Sequence, residues 1–275
     1  MKKWIFFVIV LLIIWIVINS RDIVVDSRKY DLKKDGVQIY KSIISEETRK
    51  KWETLSKTKN YKQLKSEMQS NPRMREIVGS LGEDYDFQDY ILVIEKSAVH
   101  TCHRDYNGTF SNPTQKHKSY TIIVYLETMK KCLGVIPGSQ ASKYSNAINL
   151  KNNVRDLRCS ERDAILFDAN LIHVGTINER DDNLRVQMKI THREDLEALN
   201  YYENYNRVLN KDNTNPRFVR EFQRQISCAF PYLADINQSE GIKSTREDST
   251  PSIGQKLFSY VFYGKSDFYN LPNAF

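Results

Sequence analysis

Two histidines and an aspartate define the chemistry open to this sequence. His103 and Asp105 stand two apart in His103-Arg104-Asp105, and His173 follows far downstream in Leu171-Ile172-His173-Val174-Gly175. On extended backbone, residues two apart leave the same face, so this imidazole and carboxylate can reach one ion while Arg104 points away. Two neutral imidazole nitrogens and one carboxylate bind one face of a six-coordinate Fe(II), which leaves positions for an oxo-acid cosubstrate and O2. Arg185 lies twelve positions after His173. Its planar guanidinium is a fork that grips a carboxylate with two hydrogen bonds, as holding the far end of 2-oxoglutarate requires.

These residues need strands to carry them. From Tyr90 the chain turns β-rich, with runs at Tyr90 to Ile94, Tyr120 to Leu126, Leu133 to Ile136, Ala164 to Phe167 and Leu184 to Thr191, each bounded by turn residues. Several short strands with no useful helical stretch between them predict a sandwich or jelly roll rather than a βαβ sheet. The expected architecture is mainly β with flanking helices: a double-stranded β-helix, or jelly-roll/cupin-like barrel. Ahead of it, Gly36 to Tyr40 alternates as a short strand. Ser45-Glu46-Glu47 then opens a helix whose Trp52, Leu55, Leu64 and Met68 keep apolar spacing up to Asn71-Pro72, and a second helix is predicted over Met74 to Leu81. Past Arg193 the pattern predicts helices over Leu196 to Leu209 and Phe218 to Phe230, then a polar, mobile stretch over 235–252. The aromatics between Leu257 and Tyr269 are expected to pack on the core.

Taken together, several motifs resemble the phytanoyl-CoA hydroxylase-like family of Fe(II)/2-oxoglutarate dioxygenases. His103-Arg104-Asp105 looks like its HxD, Leu133-Gly134-Val135-Ile136-Pro137-Gly138-Ser139 is similar to its apolar strand ending in a PGS turn, and Asp163 to Asp168 precede the distal His173, with Asn178 and Arg185 completing the pattern. The resemblance covers about 90–193, is weaker over Asp35 to Glu47, and ends at Arg193. It implies Fe(II) on His103, Asp105 and His173, 2-oxoglutarate on Arg185, O2 as oxidant, and succinate and CO2 as products; Thr121 matches a strand position that often lines the cosubstrate pocket. Two departures stand out. Gln140 follows the turn where the family usually has histidine, and the His173 to Arg185 interval is one residue longer than its commonest form. Arg180 competes with Arg185 as the anchor. Of the other histidines, His100 and His192 are read as packing or solvent-facing, and His117 sits in a polar 106–118 loop able to act as a lid.

The remaining composition bounds the setting. Trp4 to Ile18 is an unbroken apolar run behind Lys2 and Lys3. The stretch Ile18 to Asp22 lacks the small-x-small pattern of a signal-peptide cleavage site, so the run predicts an uncleaved transmembrane anchor over 1–19. A single-pass membrane protein is therefore expected, with lysines and arginines on both flanks leaving its orientation open. A tether over 20–35, an oxygenase domain over 36–195 and a helical extension over 196–275 complete the division. The net charge of +7 comes from scattered lysines rather than a basic stripe, which argues against nucleic acid as a partner. Cys102, Cys132, Cys159 and Cys228 show no CxxC pair and are read as buried free thiols. Two sequons, at Asn107 and Asn237, accept glycan only outside the cytosol.

The sequence thus predicts a dioxygenase that hydroxylates a C–H bond in a small molecule, lipid or protein that its residues do not identify. The alternatives are a jelly-roll binding module without turnover and a cupin-type metalloenzyme that ignores 2-oxoglutarate.

Overall fold

The computed structural model describes residues 29–96, 99–144, 146–150, 153–177, 182–202, 206–209, 215–232 and 252–265, with Trp4, Phe7, Val10, Leu11, Ile14, Trp15, Val25 and Asp26. In chain order its strands are β1 (Val25–Asp26), β2 (Val37–Tyr40), β3 (Tyr85–Phe87), β4 (Ile91–Lys96), β5 (Tyr120–Tyr125), β6 (Met129–Val135), β7 (Arg155–Cys159), β8 (Ala164–Asp168), β9 (His173–Val174), β10 (Asp182–His192) and β11 (Asn206–Leu209). The helices are α1 (Leu32–Asp35), α2 (Glu46–Lys57), α3 (Tyr61–Ser70), α4 (Pro72–Gly79), α5 (Arg217–Ala229) and α6 (Ile253–Tyr263).

Two sheets form the barrel. The larger runs β11-β4-β10-β5-β8-β2 and the smaller β1-β7-β6-β9, with β3 added against the end of β10. From β5 onward the chain passes back and forth between the sheets, with β5 in the larger, β6 and β7 in the smaller, β8 in the larger, β9 in the smaller and β10 in the larger, a course consistent with a jelly roll. Period-two alternation gives each strand of the larger sheet two jobs. On β10, Leu184, Val186, Met188 and Ile190 join an apolar layer with Trp52, Leu64, Met68 and Met74 of the N-terminal helices. Arg185, Gln187, Lys189 and Thr191 therefore share the opposite face, toward the smaller sheet. On β5 and β8 the same inward face carries Ile123, Tyr125, Ile165 and Phe167, packed with Cys132, Val135 and Leu157 of the smaller sheet.

Several expectations are corrected. The single helix read from Ser45 toward Pro72 is two, α2 and α3. Lys59 adopts φ 58° and Asn60 starts afresh by accepting from the Gln63 backbone N–H, so the chain turns between them. Leu196 to Leu209 is not an α-helix: Glu197–Tyr202 is 3₁₀, and Asn206–Leu209 is an edge strand parallel to β4. Arg155–Cys159 forms a strand the pattern did not announce. The single-pass membrane assignment is overturned, because among the described residues no helix is long and apolar enough to cross a membrane; most of the 1–19 run lies outside those residues. So do Asn178, Arg180, the Asn237 sequon and most of 235–252. Cys102 and Cys228 are not free thiols but a disulfide, whereas Cys132 and Cys159 are free and buried. Asn107 is fully buried, so its sequon is closed to glycan in the folded chain.

Candidate metal centre

The HRD segment and β9 are locked together by the tightest pairing available to backbone. The His103 N–H donates to the His173 carbonyl and the His173 N–H donates to the His103 carbonyl, both at 2.9 Å. A hydrogen-bonded antiparallel pair of this kind projects both side chains from one face, and the two rings lie with centroids 4.3 Å apart. Such close approach needs glycine next door. A Cβ on Gly175 would sit 1.8 Å from the Val99 carbonyl oxygen, so only a bare backbone fits where the segment enters the sheet. Asp105 is fixed by its own N–H, which donates to the Ala169 carbonyl at 2.9 Å.

One donor atom from each of His103, Asp105 and His173 lies within 4.8 Å of the others. His103 Nδ1 is 2.9 Å from the Thr101 carbonyl and His173 Nδ1 is 3.0 Å from the Leu171 carbonyl. A carbonyl only accepts, so each Nδ1 carries the proton and each Nε2 keeps its lone pair, the tautomer that a metal-binding histidine needs. His173 Nε2 faces Asp105 Oδ1 at 3.8 Å. The other carboxylate oxygen, Oδ2, accepts from the Thr121 hydroxyl and from the Lys189 ammonium, and Lys189 Nζ also donates to Thr121 Oγ1 at 2.6 Å. Thr121 and Lys189 face each other directly across β5 and β10.

The electrostatics match this division of labour. Burial acts to raise the Asp105 pKa, but Lys189, His173 and His103 together outweigh it and hold the carboxylate well below its ordinary range. Burial lowers the His173 pKa, only partly opposed by Asp105, so the imidazole is neutral at neutral pH. Phe167 covers the His173 ring with centroids 4.6 Å apart.

Arg185 enters the barrel from the inward face of β10, directly opposite Tyr125. Its Nη1 donates to the Asn183 carbonyl at 3.0 Å, and burial lowers its pKa while Tyr125 and Cys132 nearby favour the charge. The residue is partly buried. It makes no ion pair with a carboxylate among the described residues.

The structure therefore brings His103, Asp105, His173 and Thr121 into one constellation and places Arg185 four residues along β10 from Lys189, about 13 Å of strand. Lys189 was missed by the sequence reading. Its signal was the period-two row Arg185, Gln187, Lys189, three long polar side chains aimed at what must be an apolar interior. Arg104 faces away, as expected, donating to the Asn170 carbonyl at 2.8 Å. Gln140, the departure after the PGS turn, does not enter the constellation: its Nε2 donates to the Lys34 carbonyl at 3.1 Å, at the end of α1. His100 packs as expected, against Gln223 and Tyr263.

No family model and no curated protein matches this chain. Among solved structures, it is similar to HygX from Streptomyces hygroscopicus, determined with nickel and 2-oxoglutarate bound, at 11% identity and TM-score 0.48 over 59% of this chain and 84% of that one. EvdO2 from Micromonospora carbonacea var. aurantiaca, complexed with 2-oxoglutarate, aligns at 11% identity and TM-score 0.46 over 62% and 92%. The epimerase SnoN, in complex with Fe3+, alpha ketoglutarate and nogalamycin RO, aligns at 12% identity and TM-score 0.49 over 58% and 80%. What this chain does follows from its own side chains.

Proposed function

We propose that this chain is an Fe(II)/2-oxoglutarate-dependent dioxygenase that hydroxylates a C–H bond, with a site of the phytanoyl-CoA hydroxylase-like kind. The supporting observation is the convergence of two Nε2 lone pairs and one carboxylate oxygen, each oriented by a hydrogen bond on its far side. This donor set fits Fe(II), with His103, Asp105 and His173 holding it. When bound, the iron supplies the open positions at which 2-oxoglutarate and O2 react, giving succinate, CO2 and one oxygen atom for the substrate.

The chain's own residues do the positioning. Thr121 and Lys189 hold Oδ2 of Asp105 and leave Oδ1 turned toward His173, which favours a one-oxygen ligand. The backbone carbonyls of Thr101 and Leu171 fix the two ring orientations. Arg185 offers a guanidinium without a carboxylate partner among the described residues, and a charge enclosed by protein is costly until an anion meets it. The far carboxylate of 2-oxoglutarate is that anion.

One observation favours a second reading. The Lys189 ammonium rests against Asp105, so it can neutralise that carboxylate in a jelly-roll module that holds no metal and turns nothing over. Anaerobic titration separates the two. The dioxygenase gains a visible metal-to-ligand charge-transfer band when Fe(II) and 2-oxoglutarate are both present, and air then releases succinate. His173→Ala should remove both signals while the circular dichroism stays native. A His173→Ala protein with full succinate release would falsify the assignment.

A further inference from the structure

A second group of metal-ligating side chains lies outside this constellation. His117, His192 and Glu194 each offer one donor atom within 4.8 Å of the others. They come from separate stretches of chain: His117 from the loop that follows Asp105, His192 from the end of β10, and Glu194 from the 3₁₀ turn Arg193–Asp195 just after it. The rings of His117 and His192 stack with centroids 3.6 Å apart and planes 22° apart, and His117 Nε2 lies 3.4 Å from Glu194 Oε2. Asp84 stands beside them, its Oδ2 3.9 Å from His192 Nε2.

The surroundings hold these side chains in place. The Asp195 carboxylate accepts from the backbone N–H groups of Lys116 and His117, both at 2.8 Å, which pins the loop to the end of β10. Tyr85 meets the His192 ring edge-on at 5.3 Å. Lys116 is the competing cation, 3.4 Å from Glu194 Oε2 with a largely exposed side chain, so an incoming ion displaces a solvated ammonium rather than a buried one. The His192 side chain is 12% exposed, against 37% for His117 and 55% for Glu194. The site is thus anchored at its base and open to solvent above.

We propose that His117, His192 and Glu194 form a second binding site, for a divalent transition-metal ion such as Zn2+, with Asp84 and water as further oxygen donors. Two imidazoles and a carboxylate with an open position are the donor set that borderline ions such as Zn2+, Ni2+ and Co2+ select. His192 Nδ1 accepts a long, 3.3 Å bond from the Glu194 N–H. Binding through Nε2 moves the ring proton to Nδ1 and opens that bond, so the metal replaces one weak local contact. A bound ion cross-links the 106–118 loop to β10, the strand whose Lys189 touches Asp105.

The test uses the full chain, stripped with a chelator and titrated with Zn2+ at mildly alkaline pH, with bound metal per chain as the readout and the Co2+ absorption spectrum as a check on coordination. We expect wild type to take up a second equivalent. His117→Ala should lose it and keep the first, and His103→Ala should lose the first and keep the second. Glu194→Gln, at the most exposed of the three side chains, should weaken the second equivalent by about tenfold or more and covers the case in which His117→Ala does not fold. Unchanged uptake in folded His117→Ala or in Glu194→Gln overturns the proposal. Uptake that depends on His117 but not on His103 supports it and tells against the iron site instead.

Discussion

Helices flank the barrel on two sides, and the two layers are held by different physics. On the larger sheet, α2, α3 and α4 contribute Trp52, Leu55, Leu64, Met68, Met74, Ile77 and Val78 to one apolar layer with β4, β5 and β10. Beside the smaller sheet, α5 buries Arg220, Gln223, Arg224 and Ser227 instead. Arg224 pairs with Asp156 at 2.5 Å and donates to the Gly175 carbonyl at 3.1 Å. Ser227 accepts from the Cys102 N–H at 3.1 Å, and Cys228 is bonded to Cys102 itself. The apolar layer stabilises by area and is indifferent to direction. The polar one is directional: its ties to Cys102 and Gly175 land beside the proposed iron ligands His103 and His173, and its ion pair holds Asp156 on β7.

The comparison can be broken at its covalent point. Cys102 and Cys228 are 126 residues apart, and a loop of that size implies up to about 5 kcal/mol of chain-entropy stabilisation. Reduction, or Cys228→Ser, should lower stability by an amount of that order in denaturant unfolding and also weaken Fe(II) binding, since Cys102 adjoins His103. Unchanged iron affinity after reduction would separate the clasp from the site. On the other side, Trp52→Ala should cost about 3–5 kcal/mol through the cavity it leaves, yet the folded fraction should bind Fe(II) as wild type does. An affinity change there would mean that the apolar layer also tunes the site.

Arg224→Met sharpens the contrast at a smaller scale. It leaves Asp156 buried, with Lys131 3.8 Å away as its remaining partner, and should cost about 3 kcal/mol; a loss under about 1 kcal/mol would show that Lys131 takes over. The smallest effect is on pH. Burial holds the His173 pKa below its value in the unfolded chain, so the unfolded state takes up protons first as the solution is acidified. The metal-free protein should therefore keep this contribution above the ordinary imidazole range and lose it as pH falls below that range, and His173→Gln should flatten that part of the stability profile.

What could be read from the sequence follows the same divide. The two imidazoles, the carboxylate and Arg185 were legible because few residue types perform their chemistry, and the barrel strands because their apolar period is two. The N-terminal apolar face showed itself through Trp52, Leu64 and Met68, although the break at Lys59 did not, since nothing in its type demands a left-handed backbone. Partners set by distant folding were hidden. Cys102 and Cys228 carry no spacing signal for each other, and His192 gave no sign that His117 would stack on it. β7, with Arg155 and Arg158 in five residues, and β11, whose Asn206–Leu209 reads equally well as helix, are strands because the neighbouring strands offer them hydrogen bonds.

The clasp between residues 102 and 228 also carries a consequence for biosynthesis. Translation proceeds at roughly 5–20 residues per second, so on the order of ten seconds separate the emergence of its two halves from the ribosome. In the later part of that interval both histidines and Asp105 have been made, while α5 is still to come. A nascent chain that captures iron early does so with its ligand segment unfastened, and final affinity is reached only once the last third of the polypeptide has been added.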